Sequence, residues 1–409
     1  MSIEIITEKT AILFQYSAIA YLFLTVFFYM NLPVGGDEFL FVSDLQMIQN
    51  MGWYDAIAKN VSIPYMVLAY PFSLFMDDFL SLKIVSLLLL VLLLAYFYLL
   101  KKIRSRSMYY YLFFFISMVG YLYFGTNDCL FFVCLVVFFN EVHSAVNDKE
   151  VHFNLALSAL IIAFFTRELF LVYIPVVFIG SYILYQSGCR FTKKTVFPLG
   201  IFVLLFMLNI PSLQKNGSLS FDRKSPPQGL GVSWSQRQYL AQLMVNEGTL
   251  ANGQHPSWEE TKQYLDKNGK ESLPDGVLNG ITYNYQLTIK EFFKDFASSM
   301  FYSSRALGFM FLLSLLYWFK GIITDKRIKA NYFVPFATLA MMMIFSFIII
   351  SYVELRWLCP LFILTIVYYS ELESQNKISK YFVLANTLVL CLFCIYGIFR
   401  TLQKYKDLY

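Results

Sequence analysis

Three short polar islands interrupt an otherwise apolar chain: Asp37-Glu38, Arg167-Glu168 and Glu354-Leu355-Arg356. Each lies at the end of a long hydrophobic run, where a charge is costly unless it is paired or lines a wet cavity. A carboxylate in such a place can take a proton from a hydroxyl that is about to attack. An arginine can hold phosphate oxygens through paired hydrogen bonds from its planar guanidinium. Chance would scatter such residues over both membrane faces. The topology read from the sequence puts all three on one face, which implies a single reaction or binding centre at the membrane surface.

The elements that must position these residues are membrane helices. Of 409 residues, 58% are hydrophobic and 14% charged, where a soluble domain has about 25% charged. The composition therefore predicts an all-α polytopic membrane protein. Apolar runs predict eleven spans, near 11–31, 79–100, 108–125, 128–142, 153–166, 169–186, 195–212, 301–319, 332–351, 357–371 and 381–400. The breaks at 125–128 and 166–169 read as tight hairpins. The first run lacks a small-residue cleavage site and is expected to remain as a span. Three basic clusters fix the orientation: Lys101, Lys102, Arg104 and Arg106; Arg190, Lys193 and Lys194; Lys320, Lys326, Arg327 and Lys329. Alternation puts all three on one side, expected to be cytoplasmic, and puts the polar islands and Asp128 on the other. Arg400, Lys404 and Lys406 then fall outside, against the rule. The net charge of +5 sits mostly in short loops and gives no reason to expect nucleic acid. Cys391 and Cys394 lie inside an apolar run with no second ligand pair nearby, so they read as packing residues. The three histidines are scattered, and no metal ligand set is assigned.

Two external segments are long, which divides the chain into 1–212 with its first external loop at 32–78, an external cap at 213–300, and C-terminal helices at 301–409. In the first loop, Phe41, Leu45, Ile48 and Met51 recur at helical spacing among Ser43, Asp44, Gln46 and Gln49. That predicts an amphipathic interfacial helix with Trp53 and Tyr54 as anchors. Asp37 and Asp44 would share a face of it, and Glu38 would point elsewhere. Asp77-Asp78 reads as a solvated loop end, and Lys83 as a lysine that snorkels. In the second segment, Ser257 with Glu260 has capping-box spacing and starts a helix through Tyr264. Ser233 or Ser235 would cap another that buries Tyr239, Leu240, Leu243 and Met244. Pro226-Pro227 and glycines 229, 231 and 253 mark loops. Gly35-Gly36-Asp37-Glu38-Phe39 spells a diguanylate-cyclase signature, but it follows a span on the outer face with no α/β domain around it, which rejects that reading. Asn60-Val61-Ser62 and Asn216-Gly217-Ser218 match glycosylation sequons.

An acidic pair after the first span, an interfacial helix, and a return containing Ile63-Pro64 and Tyr70-Pro71 together resemble the GT-C glycosyltransferases. Phe165-Thr166-Arg167-Glu168, Asn216-Gly217-Ser218-Leu219 with Asp222-Arg223-Lys224, and Glu354-Leu355-Arg356-Trp357 with Pro360 are similar to stretches of the dolichyl-phosphate-glucose α-1,2-glucosyltransferases. More distantly, the chain resembles the protein mannosyltransferase and aminoarabinose-transferase group. It departs from these families in lacking a histidine soon after the acidic pair and a Thr-Thr-Pro-Pro or His-Pro-Pro stretch, so sugar and acceptor stay open.

The resemblance implies an integral-membrane enzyme that moves a sugar from a polyprenyl-phosphate donor to an acceptor hydroxyl, by inverting displacement, at the extracytoplasmic face. That face would be periplasmic, plasma-membrane outer, or lumenal in the endoplasmic reticulum. Asp37 is the expected base. Glu38, Asp44, Arg167, Glu168, Arg305, Glu354 and Arg356 are the expected substrate and donor contacts, with the three arginines at the outer interface. The partners would be the lipid-linked sugar, the bilayer, and a lipid-linked, glycan or protein acceptor. No cofactor is required, although Asp37, Glu38, Asp44 and Asp128 are hard ligands suited to a divalent cation. The rival from another class is a transporter or flippase of a lipid-linked or polar solute, whose charges would line a pathway. A membrane assembly factor without catalytic activity is a third reading. The topology is checked by labelling single cysteines in a Cys-free background. Positions 37, 167 and 354 should react from outside, and 102 and 194 only after permeabilisation. Reaction of 37 and 102 from the same face would contradict it.

Overall fold

A computed structural model describes residues 3–221, 230–325 and 332–408. Asp222-Arg223-Lys224, Pro226-Pro227, Gly229, Lys326, Arg327 and Lys329 lie outside the described residues. The described chain is helical throughout, without strands, and its contacts divide it into two units.

Unit 1 holds the described residues of 1–221, 303–338 and 359–409. It begins with α1 (Ile3–Asn31), α2 (Glu38–Ile57), α3 (Ile63–Ser73), α4 (Asp78–Ala95) and α5 (Arg106–Val119). There follow α6 (Asp128–Val146), α7 (Phe153–Thr166), α8 (Phe170–Gln186), α9 (Val196–Leu208) and α10 (Ile210–Asn216). Unit 2 holds the described residues of 222–302 and 339–358. It contains α11 (Trp234–Asn246), α12 (Trp258–Asn268), α13 (Val277–Tyr283) and most of α14 (Tyr285–Leu307). The chain then runs through α15 (Met310–Asp325), α16 (Phe333–Phe347), α17 (Cys359–Ser374) and α18 (Lys380–Leu408). The unit boundaries fall inside α14 and α16.

Among the described residues, five helices are long and apolar enough to cross a membrane: α1, α4 with its continuation to Leu100, α6, α17 and α18. The number rises to seven if the bent pairs α9–α10 (43°) and α14–α15 (112°) are each one span. This is a multi-pass helical membrane protein. Of the apolar window of α6, 94% is buried, against 28% for α1, so α6 is the central staff of unit 1 and α1 a peripheral one. Around α6 pack α4, α7, α8 and α17. Tyr173 of α8 meets Phe131 and Phe139, with ring centroids at 5.9 and 6.2 Å. Lipid is as apolar as these rings, so close van der Waals packing must hold such helices together. On the periphery α1 lies along α18 and α5.

Helix ends follow local chemistry. Asp77 caps α4, accepting from the amides of Phe79 (2.9 Å) and Leu80 (3.4 Å). α5 ends at Gly120, whose φ of +67° closes the last turn in the left-handed region. Any side chain there would strike the Tyr29 ring, which stacks on Tyr123 at 5.5 Å. The predicted span 108–125 therefore stops short, and a 3-10 turn at Tyr121–Tyr123 follows it. The return with Pro64 and Pro71 is itself helical as α3. Pro64 sits in its first turn, where no amide partner is needed.

Unit 2 has a small core of Val232, Tyr239, Leu240, Leu265, Leu273 and Ile349. Leu243 and Met244 pack against it half-buried. Ser233 caps α11 in a reciprocal box with Gln236. Ser257 caps α12 in the same way: its hydroxyl accepts from the Glu260 amide at 3.0 Å, and its own amide donates to the Glu260 carboxylate at 2.6 Å. Those bonds hold the Glu260 carboxyl below its usual range. α12 continues past Tyr264 to Asn268.

Candidate functional site at the head of α6

Four loops of unit 1 meet where α6 begins. Asp128 opens α6, and its carboxylate forms an ion pair with Arg167, the residue that directly follows α7. Both side chains are buried, at 4% and 9% exposure. Next to them the Asn127 amide donates to the Ser62 hydroxyl (2.9 Å) and to the Thr166 carbonyl (3.0 Å). Ser62 donates to the same carbonyl at 3.2 Å. The turns after α2, before α6 and after α7 are thereby tied into one polar knot. The sequence motifs assign Arg167 to a donor phosphate; they do not point to its pair with Asp128, because the partners are remote in sequence.

The acidic island joins the same end. Gly36 takes a φ of +58°, which favours glycine and turns the chain from α1 into α2. Glu38 is 2% exposed. One of its oxygens accepts the Gly125 amide at 2.8 Å and the other the Gly35 amide at 3.3 Å. These bonds fasten two loops. Asp37 stands at the N-cap of α2, half-buried, and its side chain makes no capping bond. Asp44 is buried on the same face as Phe41, Leu45 and Ile48, instead of among the exposed polar positions that the amphipathic pattern suggested. Within α2 the helix breaks at Gly52.

Lys83 does not snorkel. It is 1% exposed, and its ammonium donates to the carbonyls of Tyr29 (2.5 Å) and Leu32 (2.8 Å) over the face of Phe79. The last carbonyls of a helix lack intrahelical donors and carry partial negative charge, and Lys83 supplies what α1 needs there. Lys83 and Glu38 thus brace the chain on both sides of the Gly35-Gly36-Asp37 turn.

The Asn216 stretch also reaches this end. Asn216 donates to the Ala58 carbonyl and to Asn60 Oδ1, each at 3.1 Å. The Ser220 hydroxyl donates to the Val61 carbonyl at 2.6 Å. The two sequon asparagines are therefore partners of each other. Tyr54, largely exposed, donates to Gln214 at 3.0 Å. Asp78 accepts from Gln49 at 2.9 Å.

The remaining expected site residues have their own surroundings. Glu168 is exposed in the turn before α8. Arg305 sits over the Tyr396 ring of α18 at 5.8 Å and near the Tyr21 hydroxyl of α1. Its helix runs past the expected start of the span at 301 and bends only at Gly308. Glu354 and Arg356 belong to unit 2, where they form an ion pair within one turn. Among the described residues no group of three or more His, Cys, Asp or Glu is placed to hold a metal ion.

The other end of α6 carries charges too. Glu141, fully buried, accepts from Tyr96 (2.6 Å), Lys101 (3.1 Å) and the His152 amide (2.8 Å). Glu371 accepts from Lys149 at 2.5 Å and stands 3.0 Å from the His143 ring. These acids were missed, although each ends an apolar run as the three islands do. The polar groups are therefore not confined to one face. No protein-family model, characterised protein or solved structure matches the chain.

The ion pair sets a stability test. Asp128→Ala leaves a buried guanidinium without its carboxylate and should cost about 3–5 kcal/mol of stability. The double change Asp128→Leu with Arg167→Met removes both charges and should cost much less. Unfolding midpoints of the purified proteins in detergent decide it. Equal stability of wild type and Asp128→Ala would show that the pair carries no load.

Proposed function

We propose that the chain is an integral-membrane glycosyltransferase of the GT-C type. It moves a sugar from a polyprenyl-phosphate donor to an acceptor hydroxyl at the extracytoplasmic face, by inverting displacement. Its eleven apolar segments would then all cross or enter the bilayer, with the head of α6 outside. Asp37 takes the acceptor proton as the hydroxyl oxygen attacks the anomeric carbon and the bond to the phosphate oxygen breaks. The leaving phosphate gains negative charge, which a fixed cation stabilises. Arg167, on the same unit and at the same end as Asp37, is the first candidate for that cation. The roles of Arg305 and Arg356 rest on the sequence resemblance alone.

One observation carries the reading. Of the acidic pair after α1, Glu38 is enclosed, with both oxygens bound to loop amides, while Asp37 is only half-buried at the start of α2. The two carboxylates therefore differ in access from outside the protein, and Asp37 is the more accessible one. The transport reading needs polar groups between the two charged ends. The middle of α6 offers buried Phe131, Phe132, Leu135, Phe138 and Phe139 instead, and gives transport no support.

Asp37→Asn keeps the shape and removes the base. It should fold like the wild type and lose transfer by about 10²–10⁴-fold. The assay is turnover by purified protein over a panel of polyprenyl-phosphate sugars. Near-normal turnover by Asp37→Asn would reject Asp37 as the base.

A further inference from the structure

Helix α14 presents an apolar stripe on the surface. Tyr285, Ile289, Phe293, Ala297 and Phe301 stand four residues apart, a spacing that lines them up along one side of a helix. All five are exposed, the four large ones to 56–72%. Lys290 and Lys294 flank the stripe, each one residue on, and are exposed as well. The two acids of the helix lie inward: Glu291 is 1% and Asp295 7% exposed. Lys294 reaches back to Glu291 at 3.0 Å yet keeps 45% of its side chain exposed. The outward face of 285–302 is thus apolar, and its charge is positive only.

Water would leave four large apolar side chains in a row unburied, which soluble surfaces avoid. The hydrocarbon interior would take in two ammonium groups from the outward face, a costly state. The head-group boundary suits both kinds of residue: apolar side chains enter the acyl region while lysines stay at the phosphates. The course of the chain agrees. At Gly308 α14 bends by 112° into α15, and both sides of that bend, 303–307 and Met310–Asp325, belong to unit 1. α15 exposes Leu312, Leu316 and Phe319, as a lipid-facing span does. A span tilts by about 20° from the bilayer normal, so a helix bent from it by 112° runs along the surface and not through it.

We propose that α14 lies on the head-group layer, where Lys290 and Lys294 bind anionic phospholipid and Ile289 and Phe293 insert among the upper acyl carbons. The bent pair α14–α15 is then one surface helix followed by one span. Charge selects the lipid: an anionic head group attracts the lysines, and a zwitterionic one offers no net attraction. None of this depends on the glycosyltransferase reading.

The test uses the full chain in nanodiscs of equimolar phosphatidylcholine and phosphatidylglycerol. Nitroxide labels on single cysteines that replace Ile289 and Phe293, in a Cys-free background, should collide with oxygen in preference to a water-soluble nickel chelate. A label at Leu316 gives the hydrocarbon reference, and one at Lys267, exposed on α12, gives the aqueous reference. The labels on α14 should fall between the two. Photoactivatable lipids, read by peptide mass spectrometry, report the charge preference. Phosphatidylglycerol should label 285–302 about fivefold more than phosphatidylcholine. Lys290→Gln with Lys294→Gln should bring the two lipids to parity while labelling of α15 stays unchanged. Lys290→Gln alone leaves the Lys294–Glu291 pair intact and should already reduce the preference. Labels on α14 that match Lys267 would mark a solvated face, and labels as deep as Leu316 half of a broken span. Labels shielded from both oxygen and the chelate would mark a contact with another protein or a second copy. Equal labelling by the two lipids in the wild type would remove the charge preference. Each of these results overturns the proposal.

Discussion

A guanidinium and a carboxylate buried together at the head of α6 constrain everything around them. Neither can be left alone in an apolar setting, because an unpaired buried charge costs more than the pair gains over an apolar replacement. Arg167 must therefore stay where the turn after α7 brings it to Asp128. That turn in turn offers the Thr166 carbonyl to Ser62 and Asn127. The loop ends of α2, α6 and α7 are held by one set of bonds, and the fold at this end has little freedom to rearrange.

The same economy of polar groups governs the turn after α1. A membrane helix ends with carbonyls that have no donors. Lys83 reaches them from α4, and Glu38 takes the amides of Gly35 and Gly125. The turn that carries Asp37 is braced by a cation on one side and an anion on the other. Toward the opposite end of α6, where Glu141 lies about 20 Å from Asp128 by helical rise, Glu141 and Glu371 are paired just as fully. Charges at that end close the bundle; they need no substrate to explain them.

Much of this was legible in the sequence because its causes are local. Apolar runs mark helices wherever the surround is lipid, and each of the eleven runs is helical over most of its length in the structure. The capping boxes at Ser257 and, through Gln236, at Ser233 depend only on residues three apart. What stayed hidden depends on contacts between remote segments. Lys83 looked like a surface lysine because the carbonyls it serves belong to another helix. Asp44 looked solvated because alternation with polar neighbours cannot show what covers it. Arg305 was placed by a run boundary at 301, but α14 ignores that boundary and bends at Gly308. The Arg167–Asp128 pair joins two turns that no local rule connects.

The central claim is a division of labour between adjacent carboxylates, Glu38 for the architecture and Asp37 for chemistry. Carbodiimide labelling of the native protein with a glycine-ester nucleophile, read by peptide mass spectrometry, tests it directly. The account predicts that Asp37 is modified in step with the loss of transfer, while Glu38 stays unmodified until the protein is unfolded. Modification of Glu38 as fast as Asp37 in the folded protein, or loss of transfer that follows Glu38 alone, would contradict it.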